Sequence, residues 1–340
     1  MTVVGHGIAA MARKLRLEFA GACYHVINRG NYRRNVFGAD GAAEAFAMCL
    51  GQAVARFGWR VHAYVIMRNH FHLAVETPEP NLSAGMQWLQ VTWAMRFNRY
   101  RREHGRPFQG RYKALLVEPG LALAQVAHYI HLNPVRAGVV PVERAGEYRW
   151  SSLARFLEKE RPASLVATTV LRESGELPDS PEGWARYLAY LALVAEEDPR
   201  LREERFGRFN RGWVIGSETF QARMRQQLLA MGAGTGRFAL LGADREGQRA
   251  AKEALWEEKL GQAAQSLEVD PERLPVRKNA PEKVKLAAVL KAGTSVTNVW
   301  LARRLAMGEP ATVSQYIRRH RLAGGEQDAR WQAALSKIKT

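Results

Sequence analysis

The sequence predicts an α+β fold, in which a ferredoxin-like antiparallel sheet with helices precedes a mainly α-helical C-terminal region with a helix-turn-helix. Three observations predict it. Alternating apolar segments and helical-period segments follow one another in the order β-α-β-β-α-β up to Pro134. Beyond Trp150 the composition turns charge-rich and helical. Near the C terminus, Gly308 separates two short helical stretches.

The elements can be justified in turn. Residues 22–28 (ACYHVIN) alternate and are rich in strand formers, which predicts a first strand. After the polar turn NRGNYRRNVF, residues 41–57 have helical spacing and an Ala-rich composition. Residues 59–67 and 70–76 read as two strands joined at Arg68-Asn69, an antiparallel hairpin. Residues 82–103 form a long helix, with Met86, Leu89, Trp93, Met95 and Phe97 supplying much of its apolar surface. Residues 111–118 are the fourth strand, and residues 121–132 a helix halted at Asn133-Pro134, because proline disfavours helix in the residue before it. Such a sheet, with helices on one face, is expected to leave the other face free for a ligand.

Downstream, residues 155–205 hold charge-rich helical segments broken by PDSPEG, and residues 206–216 (FGRFNRGWVIG) make a glycine- and aromatic-rich connection. Helical pattern resumes over 217–265, interrupted around 232–236, and PERLPVRKNAPEK (271–283) reads as a linker or a domain edge. The expected division is a first domain over 11–153, a helical middle region over 154–275 and a helix-turn-helix domain over 276–340.

Composition narrows the function. The 340 residues suggest about two domains, and 47% hydrophobic content excludes wholesale disorder. Two cysteines, Cys23 and Cys49, exclude a disulfide scaffold and a Cys-rich zinc module. No apolar run approaches the roughly 20 residues that span a bilayer, and the opening MTVVGHGIAAMARKLRLEF has its charges in the wrong order for a secretory signal. A cytoplasmic location without a membrane is expected. The 50 Lys+Arg against 33 Asp+Glu leave +17, a surplus that points to a polyanion, since basic side chains displace counterions from phosphates. A solubility charge is the plainer alternative. The densest patch holds Arg96, Arg99, Arg101, Arg102, Arg106, Arg111 and Lys113, opposed only by Glu103 and interleaved with Tyr100, Phe108 and Tyr112. Arginine among aromatics suits single-stranded nucleic acid, because every base offers a face for stacking. A solvated helix face would carry the same charges.

Two groups of residues carry chemistry. His70 and His72 flank Phe71 on a predicted strand, so alternation puts both imidazoles on one face, where they can grip one divalent metal. Tyr129 and Asn133 lie four apart, a spacing that presents both on one side of a helix. An amide oxygen can complete the shell of a hard ion, and a tyrosine beside that ion can become a nucleophile. The plain alternatives are a core tyrosine and a helix-stopping Asn-Pro.

The strings NHFHLAVET, GRPFQGRYKALLVE and AHYIHLNPVRAGVV, in that order, resemble the single-tyrosine HUH transposases of the IS200-like type. With the opening MARKLRLEFAGACYHVINRGN, they are most similar to the REP-associated tyrosine transposase branch. The resemblance covers roughly residues 11–153 and suggests Met11 as the start. It implies an HUH endonuclease domain with His70 and His72 as metal ligands, Tyr129 as the catalytic residue and Asn133 as the third ligand, where many relatives have Gln. His128 and His131 flank the tyrosine and are alternative candidates for that ligand, although helical spacing favours each facing elsewhere. The implied activity is a Mg2+- or Mn2+-dependent single-stranded DNA endonuclease and strand transferase that cuts near hairpins through a 5′-phosphotyrosine. A single tyrosine suits sequential cleavage and exchange, which invites a homodimer. Separately, residues 296–320 (VTNVWLARRLAMGEPATVSQYIRRH) have helix-turn-helix grammar, with Ser314, Gln315, Arg318 and Arg319 as groove contacts. The rival reading is a sequence-specific DNA-binding regulator whose HUH site does not cut.

Overall fold

The computed structural model describes residues 13–39, 41–196, 200, 206–228, 230–231, 238–240 and 245–339. Met11 and the interruption expected at 232–236 lie outside the described residues. The chain divides into two compact units, one of residues 16–221 with 241–247, the other of residues 1–15, 222–240 and 248–340.

Strand β1 (Arg13–Leu15) belongs to the second unit; the first opens with β2 (Ala22–Arg29). There follow α1 (Ala42–Phe57), β3 (Arg60–Ile66), β4 (His70–Thr77), α2 (Leu82–Arg101), β5 (Lys113–Val117) and α3 (Leu121–His131). The β-α-β-β-α-β order is therefore real. The strands run β3-β4-β2-β5, all neighbours antiparallel, which is the ferredoxin-like arrangement. A short fifth strand, β6 (Val214–Ile215), adds to β5 in parallel at the edge.

Alternation sorts the side chains of β4 to two faces. Phe71 enters an aromatic core with Phe46 of α1 (centroids 4.7 Å apart), Phe37 and Phe108, and Trp93 of α2 packs on Phe46 and Phe108. Helix α2 comes so close to the start of β3 that a Cβ on Gly85 would lie 2.1 Å from the Trp59 ring, so only glycine fits there. Met86, Leu89 and Trp93 are buried as expected, but Met95 is 61% exposed, because it falls on the outward side of the helix.

The second face is not free. Helix α3 crosses it, packed on β3 and β4, and carries Tyr129 onto the sheet. Nor does Asn133-Pro134 end the helical path abruptly. Leu132 stays helical (φ −82°, ψ −4°) and a further turn, α4 (Asn133–Arg136), follows with proline in its opening positions, where a missing N–H costs nothing. Helices α5 (Ser152–Phe156), α6 (Thr168–Arg172) and α7 (Pro181–Glu196) complete this unit, α6 packing on α3.

The division between units falls within helices α8 (Glu218–Leu228) and α9 (Arg245–Leu267), and β1 pairs in parallel with β7 (Phe238–Leu240). The second unit continues with α10 (Pro281–Gly293), α11 (Asn298–Arg304), α12 (Pro310–Leu322) and α13 (Ala329–Lys339). Its apolar core joins Trp256, Leu260 and Ala264 of α9 to Leu286, Leu290, Trp300, Val313 and Trp331. The boundaries expected near 153 and 275 are therefore not those the contacts draw. Residues 152–221 pack with the sheet, and the apolar face of α9 completes the C-terminal core. Helix α11 is capped by Thr297, whose side chain accepts from the Trp300 N–H, and Gly308 takes φ +85° before α12.

Candidate active site

His70 and His72 share a face, their ring centroids 5.1 Å apart. The β2–β4 register sets Ile27 opposite His72 and Arg29 opposite His70, so β2 lines the pair with its own odd-numbered residues. His25 is the one that matters. Its Nδ1 lies 3.0 Å from the Phe209 carbonyl, which can only accept, so Nδ1 carries the proton and Nε2 keeps a lone pair. That lone pair lies 2.9 Å from His72 Nδ1. His72 is thereby protonated on Nδ1, with its Nε2 lone pair available. His70 is set the same way, by Nδ1 lying 2.7 Å from Asn69 Oδ1. Both imidazoles are locked in the tautomer that presents Nε2 to a cation, which is the task of the groups behind a metal-binding histidine.

Burial lowers the pKa of all three rings. His25 is pushed down to about 3, and His72 is held well below the ordinary value by burial first, then by His25, His70 and Arg136. His70 is lowered by burial, partly opposed by the Asn133 side chain beside it, which would accept from the ring only in its protonated form. Neutral imidazoles are what a metal requires.

Tyr129 and Asn133 project from the end of the α3 path toward the same place. The Tyr129 ring stands edge-on to His72 (5.5 Å) and His25 (5.9 Å). Asn133 Nδ2 donates to the Tyr129 carbonyl at 3.1 Å, which leaves the amide oxygen as the group meeting His70. With Asn69 holding one side of His70, the His70 Nε2 lone pair and the Asn133 oxygen are two acceptors brought together, a donor set that a divalent cation fits.

What surrounds the phenol has no local signature in the sequence. Tyr129 is buried, its hydroxyl accepts from Asn210 Nδ2 at 2.6 Å, and Phe206 and Phe209 pack on its ring at 5.6 and 5.8 Å. The Arg136 guanidinium lies 4.8 Å from the ring centroid. Lys113 donates to the Asn210 carbonyl and so helps fix this cover. His25→Ala is expected to weaken Mn2+ binding roughly 10- to 100-fold, as measured by calorimetric titration, by releasing the His72 tautomer.

His128 and His131 are not stand-ins for the third ligand. Both are engaged elsewhere, and His128 Nε2 meets Ser174 Oγ (3.1 Å). His131 meets Tyr187 Oη (2.8 Å) and Ser152 Oγ (2.9 Å). Burial pushes His131 down to about 3 from an ordinary 6.5. Between those values the unfolded chain holds a proton that the native chain lacks. Stability must therefore fall as pH drops through that window, by about 1.4 kcal/mol per pH unit for each such histidine. Urea unfolding of His131→Gln is expected to show a pH slope shallower by one proton.

The basic patch survives in part. Arg96, Arg99, Tyr100, Arg102, Arg106 and Arg111 are exposed, with Arg96 also bonded to Cys49 Sγ (3.1 Å) and Gln52 Oε1 (3.0 Å). Tyr112 is not a stacking platform. Its ring is buried and lies under the Arg16 guanidinium (4.3 Å), which also donates to its hydroxyl, while Lys113 is half-buried at the start of β5. On α12, Ser314, Gln315, Arg318 and Arg319 all face outward, opposite the buried Val313 and Ile317.

No curated protein matches the chain. Among solved structures, a REP-associated tyrosine transposase bound to a REP hairpin is 16% identical with a TM-score of 0.36, over 47% of this chain and 93% of that one. A protein of Deinococcus radiodurans R1 named as a transposase is 19% identical with a TM-score of 0.25, over 41% of this chain and 92% of that one. Both scores are too low to bear on the fold, which rests on the strand order itself. Residues 19–133 match the family described as "Transposase IS200 like", a segment that begins just before β2 and ends on Asn133. The histidine pair, the tyrosine helix and the strands that carry them all lie within it, and residues 19–133 are a domain of the IS200-like transposase family.

Proposed function

We propose that this chain is a metal-dependent single-stranded DNA endonuclease and strand transferase of the REP-associated type, which cuts near hairpins through Tyr129. The observation that carries this reading is the meeting of Tyr129 and Asn133 with His70 and His72 on one face of the sheet. His70, His72 and Asn133 would hold Mg2+ or Mn2+, which supplies charge stabilisation at the scissile phosphate. The Tyr129 oxygen attacks phosphorus in line, forming a 5′-phosphotyrosine while the 3′-oxygen leaves. Because the new ester conserves the energy of the broken one, a second 3′-hydroxyl can reverse the step without ATP. The Arg136 guanidinium lies over the Tyr129 ring, where its charge can meet the negative charge that gathers at the phosphate in the transition state. The exposed arginines from Arg96 to Arg111 and the ring of Tyr100 suit a single strand led toward the site.

The helical pair α11–α12 is the proposed duplex or hairpin reader, with Ser314, Gln315, Arg318 and Arg319 on its free face. Arg318→Ala and Arg319→Ala are each expected to weaken hairpin binding and to lower the salt slope of log K by about 1. Fluorescence anisotropy across a salt series checks this.

A second reading, a DNA-binding regulator with a silent site, draws on the burial of Tyr129 under Phe206, Phe209 and Asn210. Labelled single-stranded hairpin DNA with Mn2+, resolved on a denaturing gel, decides between them. A cut product with a protein-linked 5′ end supports the enzyme; retarded but uncut DNA supports the regulator.

A further inference from the structure

A second group of metal-ligating side chains lies on the sheet face that α3 crosses, at the opposite end of β4 from the histidine pair. Cys23, Glu76 and His62 come from three adjacent strands, β2, β4 and β3. Cys23 is directly opposite Glu76 in the ladder, and His62 sits where the β3 register shifts between Val61 and Ala63. That bulge has a consequence. Ala63 pairs with Ala74, on the face of Glu76, and simple alternation would send His62 to the other side. The extra residue instead turns its imidazole to Glu76. The thiol, an imidazole nitrogen and a carboxylate oxygen then all lie within 4.8 Å of one another.

The imidazole is the anomaly in this group. His62 is 97% buried by its 3% exposure, and neither Nδ1 nor Nε2 has a hydrogen-bond partner. Its nearest charged group, Glu76 Oε2, is 3.5 Å from Nε2. That is close enough to hold the Glu76 carboxyl below its ordinary range, but at the outer limit of a hydrogen bond. A buried ring with no good partner is costly and rare unless something fills the place. Cys23 is buried as well. Arg60 meets the other Glu76 oxygen at 3.0 Å but is itself largely exposed, so it contributes little.

We propose that Cys23, His62 and Glu76 form a second divalent-metal site, selective for Zn2+ and separate from the His70–His72 pair. Thiolate and imidazole donors favour a borderline-soft ion, whereas two imidazoles and an amide oxygen suit Mg2+ or Mn2+. Zinc with these ligands holds its donor atoms roughly 3.3–3.8 Å apart in a tetrahedron, so the observed cluster closes with side-chain motion alone. Four residues of strand separate Glu76 from His72, roughly 13 Å, too far for one ion to serve both sites. The bound ion would displace the thiol proton to solvent, satisfy His62 and tie three strands together across the sheet, leaving one coordination position open.

The test uses the full-length chain stripped of metal. Co2+ added to a His70→Ala/His72→Ala variant should still give a thiolate-to-cobalt charge-transfer band at one equivalent, and Zn2+ should displace it and raise the Tm. Cys23→Ser should abolish the band, while Cys49→Ala, at the other buried thiol, should leave it intact. His62→Gln and Glu76→Gln should each weaken Zn2+ binding at least tenfold. Glu76→Gln is at a partly exposed position, so it reports even where Cys23→Ser does not fold. Absence of the band from the His70→Ala/His72→Ala chain, its persistence in Cys23→Ser, or unchanged Zn2+ affinity in Glu76→Gln overturns the proposal.

Discussion

Tyr129→Phe is expected to abolish the covalent protein–DNA adduct while leaving the fold and DNA affinity close to those of the parent. Loss of the phenol oxygen removes one hydrogen bond, from Asn210, and none to the metal-binding pair. The stability cost should be about 0.5–1.5 kcal/mol, and the aromatic contacts to His72, Phe206 and Phe209 persist. Tyr100→Phe should still form the adduct. So should Tyr112→Phe, though it gives up the Arg16 contact and with it some stability. Mass spectrometry of the trapped adduct is the check, and a phosphotyrosine on a peptide lacking Tyr129 would falsify the assignment.

His72→Ala should have an effect of similar size by a different route. His72 is the buried member of the pair and the end of the chain of hydrogen bonds that starts at the Phe209 carbonyl. Its removal deletes a proposed ligand and leaves His25 Nε2 without its donor. If the cation supplies several kcal/mol at the phosphate, Mn2+-dependent cleavage should fall on the order of a thousandfold. Hairpin binding should persist, since the exposed arginines are untouched. Single-turnover cleavage beside anisotropy separates the two quantities, and equal losses in both would argue for unfolding.

The strands and their order were legible because alternation and the Arg68-Asn69 turn are local signals, and the shared face of His70 and His72 follows from strand geometry alone. Tyr129 and Asn133 were legible through helical spacing and the motif they complete. Tyr112 departs from the stacking role that its basic neighbours suggest, and strand parity accounts for its burial. It falls in step with Ala114 and Leu116, which pair with Val26 and Tyr24 on the side facing α1 and α2. His25 was visible only as one more residue of an alternating strand, because its role depends on the β2–β4 register. Asn210, Phe206 and Phe209 come from a segment about eighty residues beyond the tyrosine, and nothing in FGRFNRG announces which ring it covers. The reach of α9 into the C-terminal core was hidden for the same reason: an amphipathic helix does not declare its partner.

The short partners of the outer strands bear on how two copies could meet. At one margin of the sheet, β6 takes up the outward main-chain groups of β5, with Leu116 N–H donating to Trp213 and Glu118 N–H to Ile215. At the other, the outward groups of β3 are taken in turn. Val61 exchanges hydrogen bonds with Ser164 and Val166, Ser152 Oγ serves both main-chain groups of Tyr64, and Ile66 N–H donates to Trp150. Among the described residues, these stretches of β3 and β5 therefore do not present the row of unpaired donors and acceptors through which sheets zip together edge to edge. At those positions a second copy or an extended peptide would find the main-chain groups already engaged, so strand addition there would first have to displace the chain's own segments.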